Sequence, residues 1–229
     1  MANAAGSGGG GTGRLIYFDL GGRAEGIRML LAHANFQYED ARISMEEFAK
    51  LKRGGGSSLP LGSVPIWEED GFIQAQSSSI LRMLGARLGY YHDDPMICWR
   101  IDSLIDFVED LHGKFAEYVL PVMEGNGLSD EGGQAWLSDY WDKLIPVLER
   151  RLTEHGQSFL AGTQRPTIAD FKAFQTLSCS VYNRVSPVPP RVLDRLVDRI
   201  ETSPNFATWA NQMQTEIQDY LHKRPPRPF

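Results

Sequence analysis

The spacing of apolar residues changes once along this chain of 229 residues, close to residue 93. Before that point, short apolar runs bounded by glycine alternate with helical segments in the order β-α-β-(short α)-β-β-α. From Met96 onward the pattern shows only long segments with a period of 3.6 residues. We therefore expect an α/β domain over residues 14–91 and an all-helical domain over residues 96–222.

Several local features are predicted within these domains. The first strand is expected over residues 14–20, and the turn at Asp70-Gly71 predicts a hairpin. Capping boxes at the starts of helices are predicted by Ser and Thr residues followed three positions later by an acid, at Ser44 with Glu47 and at Thr167 with Asp170. Long helices are expected over residues 134–155, with a kink at Pro146, and over residues 204–222.

The two ends of the chain fall outside these predicted domains. Residues 1–13 are rich in glycine and lack the apolar centre of a signal peptide, so we expect a flexible leader. Residues 223–229 combine Lys, Arg and Pro, which predicts an extended and solvated tail.

Charge and cysteine usage exclude several classes of function. Asp and Glu total 29 against 23 Lys and Arg, whereas nucleic-acid binding is driven by clustered cations. No apolar run approaches the roughly 18 residues that a membrane-spanning helix needs. Cys98 and Cys179 are too far apart for a CxxC pair and too few for a Cys-rich zinc site, which is typical of a reducing compartment. These features predict a cytoplasmic protein with no nucleic-acid or membrane partner.

A more specific pattern starts in the first predicted strand. Residues 17–28 read YFDLGGRAEGIR. Four shorter motifs follow in order: Val64-Pro65, Asp70-Gly71, Gln76-Ser77 and residues 167–171, TIADF. Together they resemble the sigma class of cytosolic glutathione transferases over nearly all of residues 14–222. The resemblance implies the fold of that family, a thioredoxin-like N-terminal domain plus an all-α C-terminal domain.

The resemblance implies thiol chemistry at Tyr17. In the family, the tyrosine at this position donates its hydroxyl to the sulfur of glutathione, the co-substrate, and holds it as a thiolate. A free thiol titrates near pH 8.5, and one charge-assisted hydrogen bond of roughly 1.5–3 kcal/mol lowers that pKa by about one to two units. Arg23 either adds a positive field at the sulfur or is a surface arginine at the start of a helix.

The family's glutathione-binding positions fall on residues of three further motifs. Val64 is expected to pair through its main chain with the cysteinyl unit, before a cis peptide bond to Pro65. Gln76 and Ser77 are expected to bind the γ-glutamyl carboxylate where a helix begins, and Ser77 is also a predicted helix N-cap. Simple turn formation and ordinary capping are the alternative interpretations of these motifs.

The glycyl carboxylate is assigned to a basic residue before a glycine-rich stretch. Lys52 matches the family position, with Lys50 and Arg53 as alternatives, because residues 53–58 (RGGGSS) make this loop longer than the family pattern. Phe48 stands where the family commonly has tryptophan.

Four acidic residues share one face of the first long helix. Asp102, Asp106, Glu109 and Asp110 lie at i, i+4, i+7 and i+8, where like charges repel unless they are hydrated or neutralised. The resemblance implies a symmetric homodimer in which Asp110 reaches the ligand's amino group in the partner subunit. Some relatives place a divalent cation among such acids, but the resemblance requires no metal.

The resemblance implies attack of glutathione on small hydrophobic electrophiles or peroxides, as in detoxification. The acceptor pocket is expected between the domains, lined by Phe18, Leu20, His112 and Phe115. A glutathione-dependent isomerase of the prostaglandin D synthase type is one alternative. A non-enzymatic relative, crystallin-like or ligand-binding, is the other, and the retained thiol-site residues favour an enzyme.

Overall fold

The computed structural model describes residues 13–54, 59–123, 128–156, 158–186 and 188–227, and for residues 115, 116, 119, 120, 122 and 123 the backbone alone. The N-terminal domain comprises β1 Arg14–Phe18, α1 Glu25–His33, β2 Glu39–Ile43, α2 Met45–Arg53, β3 Ile66–Glu69, β4 Phe72–Ala75 and α3 Ser77–Leu88. The helices that follow are α4 Pro95–Met123, α5 Asp130–Trp136, α6 Asp142–His155, α7 Ile168–Cys179, α8 Pro190–Glu201, α9 Pro204–Glu216 and α10 Gln218–Lys223. The predicted fold class is confirmed.

The four strands form one mixed sheet in the order β2-β1-β3-β4. Strand β1 is parallel to β2 and antiparallel to β3, and β3 and β4 form the predicted hairpin. Asp70 and Gly71 at its turn have φ values of +50° and +80°, as the Asp-Gly signature of a two-residue hairpin predicts. The predicted capping box at Ser44 is also present, since the Glu47 amide donates to the Ser44 side chain at 3.2 Å.

Helix α7 is the centre of the molecule, and all of its residues are buried. It packs against α1 and α3 of the N-terminal domain and against α4 of the helical domain. The predicted capping box opens it, because the Asp170 carboxylate accepts the Thr167 amide at 2.8 Å. The same carboxylate accepts the Leu160 amide at 3.0 Å and the Trp209 indole N–H at 2.9 Å. One buried acid therefore joins α7 to the preceding loop and to α9.

The predicted end of the first strand is wrong by two residues. Strand β1 ends at Phe18, and a 3₁₀ turn over Gly22–Ala24 precedes α1, which begins at Glu25. The cause is the buried guanidinium of Arg28, whose Nη1 donates to the carbonyl oxygens of Leu20 at 2.7 Å and Gly21 at 3.3 Å. These bonds turn the chain away from the sheet.

Two long predicted helices are interrupted. The segment 134–155 breaks in a π turn over Leu137–Trp141, and Pro146, the predicted kink, lies farther along within α6. The π turn directs bulky aromatic side chains inward, and Tyr140 Oη lies 2.6 Å from Thr176 Oγ1. The segment 204–222 divides at Ile217 into α9 and α10. Within the described ranges, no helix is both long and apolar enough to span a membrane.

The C-terminal tail is extended, as predicted, but it is not solvated throughout. The Arg224 side chain is only 14% exposed, and its guanidinium contacts Glu25 at 2.5 Å and the Ser178 carbonyl at 2.6 Å. Arg227 Nε donates to Asp19 at 2.7 Å. The tail therefore packs on the loop that follows β1.

The close packing of α3 on α7 leads to a testable difference between two helical glycines. A Cβ on Gly85 would lie 2.3 Å from Ile168 Cγ2, whereas one on Gly113 of α4 would meet open space. We expect Gly85→Ala to lower the free energy of unfolding by about 1–2 kcal/mol through overpacking. Gly113→Ala, the control, should raise it by up to about 1 kcal/mol through helix propensity. Urea denaturation measures both, and equal effects would contradict the packing argument.

Candidate active site

Three of the predicted site positions meet at one end of the sheet. Ile16 of β1 pairs with Ile66 of β3, which pairs with Ala75 of β4. Continuing this register by one residue sets Tyr17, Pro65 and Gln76 in one row across the sheet. The loop to α1 and the first turn of α3 begin at this same edge.

The Tyr17 hydroxyl is held by the backbone of the turn that follows. The Arg23 amide donates to Tyr17 Oη at 3.2 Å. Gly22, with φ of +47°, permits this approach, because a Cβ there would lie 2.7 Å from the hydroxyl. Since the oxygen accepts this bond, its own O–H can be directed to another acceptor.

The protonation state of Tyr17 follows from its surroundings. The side chain is 7% exposed, and burial raises the pKa of the hydroxyl. The Arg23 amide and the charges of Arg23 and Arg28 oppose this rise without reversing it. Tyr17 is therefore protonated at neutral pH and can donate a hydrogen bond to an anion.

The Val64–Pro65 bond is cis, as expected.

The predicted serine cap of α3 is wrong, because Gln76 is the N-cap and Ser77 is already the first helical residue. Gln76 has φ of +72°, and its carbonyl oxygen accepts the Ile80 amide at 2.9 Å, so the helix begins one residue earlier than the predicted cap requires. A positive φ at a non-glycine residue is a strained conformation of the kind that clusters at functional sites.

An aromatic pair and a lysine lie on the α2 side of the row. The Phe48 ring packs edge-on against Phe18 with centroids 5.2 Å apart, and Lys52 Nζ lies 5.0 Å from the Phe48 ring. Lys50 instead pairs with Glu46 at 2.8 Å on the outside of the helix. The geometry therefore favours Lys52 over Lys50. Residues 55–58 of the glycine-rich loop lie outside the described residues.

The acidic face of α4 lies against the N-terminal domain. Arg82 of α3 donates to Asp102 at 2.7 Å and to Asp106 at 2.6 Å. Glu109 forms an ion pair with Arg23, and Asp110 is exposed. Arg82 and Arg23, both of the N-terminal domain, thus offset the repulsion between the acidic side chains on this face of α4. Among the described residues, no three His, Cys, Asp or Glu side chains converge to hold a metal ion.

Sequence reasoning missed one buried charged residue that joins the ion pair of Arg23 and Glu109. Lys172 of α7 is 1% exposed, and its Nζ lies 2.6 Å from Glu109 Oε2, on the same carboxylate that contacts Arg23. The segment 168–179 reads IADFKAFQTLSC, in which Lys172 is the only cation. A cation in a helix that is apolar on nearly every face must be buried and paired, and this signal could have identified it.

The predicted acceptor-pocket residues have separate surroundings. Phe18 packs toward Phe48, and Leu20 is partly buried in the loop after β1. His112 is 6% exposed, and burial together with the charges of Lys172 and Arg23 lowers its pKa to about 3. The side chain of Phe115 lies outside the described residues.

Comparisons with known proteins identify the family. The model of the glutathione S-transferase N-terminal domain matches residues 13–85, and that of the C-terminal domain matches residues 109–213. The chain is 32% identical to the hematopoietic prostaglandin D synthase of Gallus gallus over 198 residues, which cover 86% of this chain and 94% of that protein. The chain belongs to the glutathione S-transferase family.

Two other proteins agree with this assignment. A probable glutathione S-transferase of Caenorhabditis elegans, gst-36, is 28% identical over 208 residues, which cover 87% of this chain and 95% of that protein. The crystal structure of the glutathione S-transferase from Ascaris lumbricoides superimposes with a TM-score of 0.69 at 25% identity, covering 96% of this chain and all of that one. The family expected from the sequence motifs is confirmed.

The buried His112 predicts a specific dependence of stability on pH. Its folded pKa of about 3 lies below the ordinary value of 6.5, so between these values the unfolded chain binds a proton that the folded chain does not. Stability due to this group is therefore complete above about pH 6.5 and is lost on acidification, by about 2 kcal/mol at pH 5.

Urea denaturation at two pH values measures this effect. We expect His112→Gln to reduce the loss of stability between about pH 7 and pH 5, relative to the unmodified chain. His222→Gln, at an exposed histidine, is the control and should leave the loss unchanged. The same pH dependence in all three proteins would contradict the prediction.

Proposed function

We propose that this transferase uses Tyr17 to stabilise the thiolate of glutathione for attack on small hydrophobic electrophiles or peroxides. The observation that carries the proposal is the buried, protonated Tyr17 hydroxyl, held by the Arg23 amide at 3.2 Å. A hydroxyl in this state donates a hydrogen bond to sulfur, and it favours the thiolate over the thiol.

We assign glutathione an extended orientation along the end of the sheet. The γ-glutamyl carboxylate would lie at Gln76 and Ser77, where the first amides of α3 have no partner within the helix. The cysteinyl main chain would pair with Val64, beside Pro65, as an added strand does. The glycyl carboxylate would meet Lys52 next to Phe48. The row of Tyr17, Pro65 and Gln76 supports this order along the peptide.

The proposed reaction requires little of the protein beyond stabilisation of the thiolate by Tyr17. The thiol proton passes to solvent, and Tyr17 remains protonated as the donor to sulfur. The sulfur forms a bond to the electrophilic carbon while the leaving group departs with its bonding electron pair. With a peroxide, the sulfur instead forms a bond to one oxygen while the O–O bond breaks, and the other oxygen leaves with that electron pair and takes a proton from solvent. The positive charge of Arg23 further lowers the free energy of the anion.

The acceptor is proposed to bind between the two domains, beside Phe18, Leu20 and the α4 segment that bears His112 and Phe115. Isomerisation of an endoperoxide is a second candidate reaction, favoured by the 32% identity to a protein named hematopoietic prostaglandin D synthase. Both reactions use the same thiolate and differ in the acceptor. We further propose a cytoplasmic location and a role in detoxification.

We propose a symmetric homodimer in which Asp110 contacts the ligand of the partner subunit. Asp102 and Asp106 are bound to Arg82, and Glu109 is paired with Arg23 and Lys172. Asp110 is exposed on the same helix, next to these neutralised acids. An exposed carboxylate there suits the ammonium group of a γ-glutamyl unit.

The role of Tyr17 is tested by Tyr17→Phe, which removes the hydroxyl and keeps the ring. We expect the pKa of bound glutathione to rise by about one to two units while the fold is retained. The ultraviolet absorbance of the thiolate, titrated against pH, measures this value. Tyr38→Phe, in the same domain, is the control and should leave the titration unchanged. An unchanged titration in Tyr17→Phe would remove Tyr17 from the mechanism.

The role of Asp110 is tested first by affinity. Asp110→Asn should weaken glutathione binding about 10- to 100-fold, since a charge-assisted hydrogen bond is worth roughly 1.5–3 kcal/mol. Asp106→Asn is the control, because it lies one turn away and leaves Arg82 bound to Asp102. Equal losses in the two variants would indicate a general effect of charge.

A mixed dimer then tests whether the contact crosses between subunits. A Tyr17→Phe chain paired with an Asp110→Asn chain carries one intact site and one doubly defective site if Asp110 acts in trans. We expect about half of the unmodified activity at subsaturating glutathione. Activity no higher than the mean of the two variant homodimers would place Asp110 in cis or outside the site.

A further inference from the structure

A cluster of three charges lies behind the proposed thiol site. Arg23, whose amide holds Tyr17, forms an ion pair with Glu109 Oε1, and Lys172 Nζ lies 2.6 Å from Glu109 Oε2. The three side chains come from the turn before α1, from α4 and from α7. The carboxylate is therefore shared between a cation at the site and a cation buried behind it.

The close approach of two helices positions Lys172 below this turn. A Cβ on Gly26 of α1 would lie 3.3 Å from the Phe171 carbonyl oxygen and 3.6 Å from Lys172 Cα. A glycine at this position favours the close packing of α1 on α7, since a Cβ there would be a tight fit. The Lys172 side chain consequently begins beside the start of α1, and its amine meets Glu109.

The charge balance of the cluster depends on Lys172. Arg23 and Glu109 alone would form a neutral pair, and the carboxylate would cancel most of the positive field that Arg23 exerts on a nearby anion. When Lys172 is protonated on the second oxygen of Glu109, the cluster carries a net charge of +1. Burial of an amine has a cost in desolvation free energy, and this protein nevertheless has a lysine at the buried position 172.

The other groups around Lys172 do not replace it. His112 of α4 is neutral at physiological pH, since its pKa is lowered to about 3. Arg82 of α3 is bound to Asp102 and Asp106. Burial and the charges of Arg23 and Arg82 lower the pKa of the Lys172 amine to about 7. The carboxylate of Glu109, 2.6 Å from Nζ, favours the charged form of the amine.

We infer that Lys172 is a positioning residue for the thiol site, which balances Glu109 and so preserves the positive field of Arg23 beside the Tyr17 hydroxyl. The inference rests on the proposed function, because the field acts on the sulfur of glutathione. It assigns a role in catalysis to a side chain that is itself buried away from substrate.

The charge-balance argument predicts opposite effects from the two partners. Lys172→Met keeps an unbranched stem of the length of the lysine's aliphatic part, removes the ammonium group and leaves a neutral pair of Arg23 and Glu109. The pKa of bound glutathione should therefore rise by about 0.5–1. Glu109→Gln leaves two cations and should lower that pKa. The double variant restores a net charge of +1 through Arg23 alone, and its thiol pKa should return toward that of the unmodified protein.

The experiment titrates the ultraviolet thiolate absorbance of bound glutathione against pH in the full chain. Lys143→Met, at an exposed lysine of the helical domain, is the control and should have no effect. Lys172→Gln, which retains a donor to Glu109, serves in place of Lys172→Met if the latter does not fold. Opposite changes with recovery in the double variant would support the inference.

Two other outcomes separate the inference from the function on which it rests. A lowered thiol pKa in the unmodified protein that stays the same in all variants, or rises in both single variants, would overturn the role of Lys172 alone. Bound glutathione with the ordinary thiol pKa in the unmodified protein would overturn the proposed thiol site, and the inference with it.

Discussion

Helix α7 has no face open to solvent, and both domains are built against it. Its contact with α1 is tight at Gly26, where a Cβ would lie 3.1 Å from Gln175 Oε1, and its contact with α3 requires Gly85, where a Cβ would lie 2.3 Å from Ile168 Cγ2. At its first turn, Asp170 binds donors from the capping residue, the preceding loop and α9. Because protein interiors are closely packed, a shift of this helix would move the elements on both sides together. The position of the proposed thiol site relative to the helical domain is therefore set by α7.

Charges then define the boundary between the domains. Arg82 reaches two acids of α4, and Arg23 reaches a third, so the acidic face is matched with cations of the other domain. Exposed pairs of this kind contribute little to stability, since solvent screens them. These pairs fix how the two domains are oriented. The pair of Lys172 and Glu109 continues the same network of charges to Arg23, in the turn beside Tyr17. Packing supplies the stability, and the charges determine how the two surfaces meet.

The sequence was sufficient to predict the fold and most of the arrangement at the end of the sheet that bears Tyr17. The change of periodicity separated the domains, the Asp-Gly turn located the hairpin, and the order of motifs identified the family. The predictions failed where a distant side chain determines the local backbone. Arg28 ends the first strand by binding carbonyl oxygens, and aromatic packing at Tyr140 accompanies a π turn that period counting cannot detect. The partner of Lys172 also lies 63 residues away, so only the fold could reveal it.

The tail has a consequence for the order in which the protein is made. Arg224 contacts Glu25 at the start of α1, 199 residues earlier in the chain, and Arg227 binds Asp19 on the loop after β1. These contacts cannot form until Arg224 and Arg227 have left the ribosome. The N-terminal domain therefore waits, with its loop beside Tyr17 incompletely supported, through the synthesis of the entire helical domain. In a nascent chain the sheet can assemble early, but the surroundings of the proposed thiol site are completed only after residues 224–227 have been synthesised.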